Sequence, residues 1–121
     1  MDIRILNALK MAKEDHCVDK GEHYVLDKSA DLLDKFISLL PKQNTKSIRE
    51  VGYDNQGCIY AEWRDIYGSL NIDIDHEGLL SYAIIYEHET FSIKAHGHFD
   101  FSPTEDIDEK LLMYINLFAS P

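Results

Sequence analysis

Ser69-Leu70-Asn71-Ile72-Asp73-Ile74-Asp75 alternates apolar and polar side chains without a break. In an extended chain successive side chains point to opposite faces. Leu70, Ile72 and Ile74 therefore share one face, and Asn71, Asp73 and Asp75 share the other. A strand buried on one side and polar on the other has this pattern. The same rhythm runs upstream through residues 58–64, where Ile59, Ala61 and Trp63 align, with a shorter segment at 48–53 before it. Downstream it continues through Leu80, Tyr82, Ile84 and Tyr86, and then through Phe91, Ile93, Ala95, Gly97, Phe99 and Phe101. Asp54-Asn55-Gln56-Gly57, residues 65–68, His76-Glu77-Gly78 and residues 87–90 punctuate the run as turns, with a positive φ expected at Gly78. The reading is a meander of four to five antiparallel strands.

Before and after the strands the apolar period lengthens to that of a helix. Ile5, Leu6, Leu9 and Ala12 mark a helix over residues 2–14, and the polar stretch 15–24, which contains Gly21, reads as a loop. Asp27 or Ser29 caps a second helix carrying Leu32, Leu33, Phe36, Ile37 and Leu40, which Pro41 stops. Ser102-Pro103-Thr104-Glu105 has the form of a capping box with proline in the first turn. It opens a last helix with Ile107, Leu111, Tyr114, Ile115 and Phe118 as its stripe. A sheet with one apolar face needs a cover, and amphipathic helices provide it. The expected fold is a single α+β domain over residues 1–121, with the N- and C-terminal helices packed on one face of the sheet.

Composition narrows the function. Hydrophobic residues make up 45% of the 121 and charged residues 28%, which places the chain among globular proteins. Twelve basic residues against 22 acidic give a formal charge of −10, which disfavours nucleic acid, where Lys and Arg must replace phosphate counterions. The longest uncharged apolar stretch, residues 36–41, is too short to cross a bilayer. The first residues lack the basic flank and apolar core of a secretory signal. Cys17 and Cys58 are too few for a disulfide framework, and reduced thiols in the cytoplasm are expected.

Leu39-Leu40-Pro41, residues 55–63 (NQGCIYAEW) and residues 70–82 (LNIDIDHEGLLSY) together resemble a family of small bacterial proteins. Its usual form is a helix ending in Leu-Pro, a strand of the DGGI-x-LEW kind, an IEI-type strand and a DG-x-x-x-Y turn. The resemblance spans residues 27–86. Where members often carry Gly-Trp-Asp-Gly, this chain has Asp19-Lys20-Gly21-Glu22-His23-Tyr24. The resemblance implies no activity or catalytic residue, and at most an association with stress or toxin–antitoxin loci.

Tight turns place Glu62 opposite Asn71, Tyr60 opposite Asp73, Asp73 opposite Ser81, and Ser81 opposite His96, all on the face away from the helices. A Ser, His and Asp in one row suggests a nucleophile, but a triad needs the His between the other two and donors for an oxyanion. No catalytic residue is assigned. His96 and His98 flank Gly97 and point the same way, and with Asp100 they are the weak candidate for a divalent metal and a metal-dependent hydrolase. No other cofactor is expected. Asp73 to Gly78 resembles part of a calcium loop, but its flanks are strands, and a hairpin turn is the better reading.

The outer face also carries Tyr60, Ala83 and Ile85, rimmed by Glu62, Asp73, Lys94 and His96. Apolar patches with polar rims mark contacts with other chains. The leading expectation is a non-catalytic, acidic protein-binding module that takes a protein partner of basic character, or a second copy of itself as a homodimer. Cover by its own 15–24 loop or first helix is the competing expectation.

Overall fold

A computed structural model describes residues 1–15, 20–104 and 106–119, with the side chains of residues 20–22 excepted. In chain order it comprises α1 (Ile3–Asp15), α2 (Lys20–Ser38), α3 (Lys42–Lys46), β1 (Glu50–Tyr53), β2 (Ile59–Asp65), β3 (Gly68–Ile74), β4 (Leu79–Glu87), β5 (Ser92–Asp100) and α4 (Glu109–Asn116). The strands form one antiparallel sheet in the order β1-β2-β3-β4-β5, a meander in which each strand pairs with its sequence neighbours. The period-two reading is correct in β2 to β5, and the fold is α+β. Gly78 has φ +93° in the β3–β4 turn, where a Cβ would strain the backbone.

The helices cover one face of the sheet. Ile59, Ala61, Trp63, Leu70, Ile72, Ile74, Leu80 and Ile84 point into them and are buried. From the other side come Ile5, Ala8 and Ala12 of α1, then Leu26, Ala30, Leu33 and Phe36 of α2, then Leu111 and Ile115 of α4. Ring contacts seat the C-terminal segment on the sheet: Phe36 meets Phe101 edge-on at 5.7 Å, Tyr82 meets Tyr114 at 6.1 Å, and Tyr86 meets Phe118 at 5.2 Å.

Three sequence expectations need correction. Residues 20–24 are helical rather than loop, because α2 runs on through Gly21, and residues 16–19 lie outside the described part. One glycine costs a helix only about 1 kcal/mol, less than the packing of one large side chain supplies. Consequently Asp27 and Ser29 lie inside α2 and do not cap it. The last helix begins later than the capping box suggested. Its cap is Asp108, whose Oδ2 accepts the Leu111 N–H at 3.0 Å. Phe101 N–H is bonded to Gly78 C=O at 2.8 Å, so the chain is still held to the end of the sheet there and residues 102–108 carry it across to the helix layer. Of the expected box, Ser102 Oγ meets Thr104 Oγ1 at 3.0 Å, and Glu105 lies outside the described residues.

Two polar residues are buried among these apolar ones. Asn44 of α3 donates through Nδ2 to Asn116 Oδ1 at 2.9 Å, and its backbone C=O accepts the indole N–H of Trp63 at 2.9 Å. Trp63 is thus a core residue, as its parity implied, with its one polar atom satisfied. Ser29 faces the sheet from α2. Its hydroxyl donates to Ile74 C=O at 2.6 Å and accepts the Ile59 N–H at 2.9 Å. Ser29→Ala should lower unfolding stability by about 2 kcal/mol, because a buried N–H and a buried C=O both lose their partner. Urea denaturation reads this as a lower midpoint at unchanged slope, and an unchanged midpoint would show that the bridge contributes nothing.

Candidate functional site

The strand register builds the outer face row by row. One row runs Gly52, Tyr60, Asp73, Ser81, His98, the next Glu50, Glu62, Asn71, Ala83, His96, and the third Arg64, Ser69, Ile85, Lys94. Each of Tyr60, Glu62, Asp73, Ala83, Ile85, Lys94 and His96 therefore lies on the face opposite the helices. Ala83, Ile85, Lys94 and His96 are exposed, with Ile85 at 52%, while Tyr60, Glu62 and Asp73 are half-buried. Among the described residues α1 does not provide the expected intramolecular cover, because it buries Ile5, Ala8 and Ala12 in the core beside α2.

One pairing differs from the sequence reading. Ser81 faces His98, and His96 faces Ala83. The connection between β4 and β5 is residues 88–91, with Glu89 and Thr90 at its tip and His88 N–H bonded to Phe91 C=O at 2.9 Å. The rings of His88 and Phe91 stack at 5.2 Å, and Tyr67 lies 4.6 Å from His88 on the other side. This aromatic packing sets the turn one residue later than expected and moves every pair by two, which preserves the faces and changes the neighbours.

The row Asp73, Ser81, His98 still places serine between the acid and the histidine, the wrong order for a triad. His96, His98 and Asp100 lie along one exposed stripe of β5. Among the described residues no three His, Cys, Asp or Glu side chains gather closely enough to hold a metal ion.

Electrostatics divide the face along the strands. At the end where β1–β2 and β3–β4 turn, Asp54, Asp73 and Asp75 converge. Partial burial, and then the charges of Asp54 and Asp75, push the Asp73 carboxyl up to about 6. The Cys58 thiol is pushed up to about 12 by burial and by the same three aspartates, so it stays protonated and unreactive. Cys58 is free, and Cys17 lies outside the described residues. At the opposite end the charge is mixed: Arg64 Nε is bonded to Glu62 Oε1 at 2.7 Å, and Lys94 stands exposed beside Ile85. Tyr60 lies flat across β1, and a Cβ on Gly52 would come within 2.6 Å of its hydroxyl, so a glycine is required beneath the ring.

Sequence patterning missed the convergence of the aspartates, since Asp54 and Asp73 are 19 positions apart, one in the β1–β2 turn and the other in β3. It also missed a cleft beside β1, whose α1 wall is formed by Arg4, Asn7, Ala8 and Met11. Their i, i+3, i+4, i+7 spacing was the available signal.

Compared with family models, curated proteins and solved structures, the chain has no match. The likeness to small bacterial proteins rests on the motif residues alone. No helix among the described residues is long and apolar enough to cross a membrane.

The raised Asp73 value has a consequence for stability. Its folded value, about 6, lies above the ordinary 3.8, so the native state binds the proton more tightly than the unfolded chain. Above pH 6 folding carries the cost of charging a half-buried carboxylate, and that cost is relieved as the pH falls from 6 towards 4. Asp73→Asn should stabilise the protein at pH 7 by on the order of 1 kcal/mol once solvent screening is discounted. The gain should vanish near pH 4, and thermal melts at the two pH values measure it. Equal shifts at both would show that the charge of Asp73 is not the cause.

Proposed function

We propose that this protein is a small, non-catalytic binding module that docks a protein partner on the open face of its sheet. The observation that carries this reading is the one-sided cover. Helices bury the centre of one face, while the other presents Ala83 and Ile85 to solvent on the β4 strand, amid charged and polar side chains. An exposed apolar centre with a polar rim is the usual anatomy of a protein contact.

A partner of basic character suits the acidic end, where partial burial and then the charges of Asp54 and Asp75 hold the Asp73 carboxyl above its ordinary range. A cationic side chain placed there offsets those charges and gains a desolvated contact. The overall charge of −10 steers such a partner inward at low salt. Capping a basic protein, as an antitoxin or immunity protein does, is one form of this role. Cytoplasmic residence accords with the free, protonated Cys58.

The test is capture from host lysate on the tagged protein, with the retained species identified by mass spectrometry and its affinity then measured. Wild type should hold a basic protein at low salt and lose it at high salt. Ile85→Asp, at an exposed position, should leave the melting temperature unchanged and weaken the identified complex by roughly tenfold or more. A protein that captures nothing at either salt and runs as a monomer, or an Ile85→Asp variant that binds like wild type, overturns the reading.

A further inference from the structure

β1 is an edge strand, paired with β2 on one side only. Along its other side opens a cleft of about 500 Å³. One wall is the α1 face carrying Arg4, Asn7, Ala8 and Met11, and the other is the unbroken run of residues 49–53, with Tyr60 at the rim. Consecutive residues of a strand can all line one cleft only when the strand presents its edge to it, since its two faces each take alternate residues.

The hydrogen-bond phase of β1 tells which backbone groups reach that edge. Asp54 N–H is bonded to Cys58 C=O at 3.0 Å, in the same register that pairs Gly52 with Tyr60 and Glu50 with Glu62. Antiparallel ladders alternate, so the even-numbered residues of β1 spend their backbone groups on β2, and just before the strand Arg49 N–H is also turned to β2, bonded to Glu62 C=O at 2.8 Å. Val51 therefore turns its N–H and C=O the other way, into the cleft. Edge strands of this kind are usually blunted by a proline, a bulge or a covering helix. Here α1 stands off far enough to leave the cleft open, and the segment carries no proline.

Charge in the cleft runs against that of the whole chain. In a protein of net charge −10 it holds two guanidiniums, Arg4 and Arg49, and one carboxylate, Glu50. Arg4 is held by Asp2, through Nε to Oδ1 at 3.1 Å and Nη2 to Oδ2 at 2.9 Å. Arg49 is exposed and has no ion-pair partner among the described residues.

We infer that this cleft takes an extended segment of a partner protein as a sixth strand, paired with Val51 and placing an acidic side chain at Arg49. Backbone pairing supplies the affinity and alternate side chains the selectivity, as in other strand-addition complexes. Side chains of one parity enter the space between β1 and α1, where Ala8 and Met11 offer an apolar floor. The site borders the open sheet face at Tyr60, but Ile85 belongs to that face alone and Val51 to the cleft alone, so either can fail without the other.

Random heptapeptides displayed on phage and panned against the full-length protein test the inference. Peptides that combine β-branched residues with an acidic one should be enriched, and their synthetic forms measured by fluorescence anisotropy. Val51→Pro removes the outward N–H while leaving the β1–β2 ladder, a substitution that edge strands accept. It should weaken the peptide by about tenfold or more, the scale of one lost backbone contact with its paired neighbour. Arg49→Glu, on the surface and neutral for folding, should cost a similar factor that shrinks at high salt, while Ile85→Asp should bind as wild type. No enrichment, or peptides that bind the Val51→Pro and Arg49→Glu variants undiminished, overturns the inference. So does a dimer by light scattering that Val51→Pro converts to a monomer, since the strand would then be that of a second copy.

Discussion

Ser29, without exposure to solvent, bonds the first N–H of β2 and the last C=O of β3 through a single hydroxyl. That pair of bonds fixes α2 over the end of the β2–β3 hairpin. A helix laid on a sheet otherwise slides, because dispersion and hydrophobic contacts are non-directional. With α2 fixed, Leu26, Ala30, Leu33 and Phe36 fall over the apolar rows of the sheet. α1 then packs beside α2 and against β1, and Phe36 meets Phe101 to bring the C-terminal segment back. Among the described residues the helices lie on one side of the sheet and leave the other open.

This one-sidedness produces both candidate surfaces. The uncovered face acquires the exposed Ile85 and Ala83 because β4 is shielded only beneath. The cleft arises because α1 lies beside an edge strand instead of across the sheet, leaving Val51 with a backbone edge and, among the described residues, Arg49 without a counterion. The clustering of Asp54, Asp73 and Asp75 has a similar origin. The β1–β2 and β3–β4 turns fall at the same end of the meander, and each opens with an aspartate whose Oδ1 accepts turn N–H groups. Turn chemistry thus concentrates negative charge beside Asp73 and Cys58.

The strands were legible because period two is a local property, and Ile59, Ala61, Trp63, Leu70, Ile72, Ile74, Leu80 and Ile84 all obey it. Faces followed from parity alone, so all seven candidate contact residues lie on the outer side. The neighbour of Ser81 was not legible, since it depends on where the β4–β5 chain turns, and that is decided by the stacking of His88 between Tyr67 and Phe91 across two hairpins. The helix ends failed for a related reason. Ser102-Pro103-Thr104 has the composition of a helix start, but the Phe101 bond to Gly78 holds the chain at the sheet just before it. Gly21 has the composition of a break, but the packing of α2 outweighs its cost.

From its amino acids alone the chain determines an antiparallel meander, a helix layer on one face, the parity of every strand residue and an acidic surface, because these depend on neighbours a few positions apart. Tertiary structure alone decides that Ser29 is a bridge and not a cap, that Asp54 joins Asp75 beside Asp73, that Ser81 faces His98, and that β1 keeps an open edge beside α1. Each of these joins residues far apart in sequence, and such contacts depend on how whole elements pack, which no local pattern encodes.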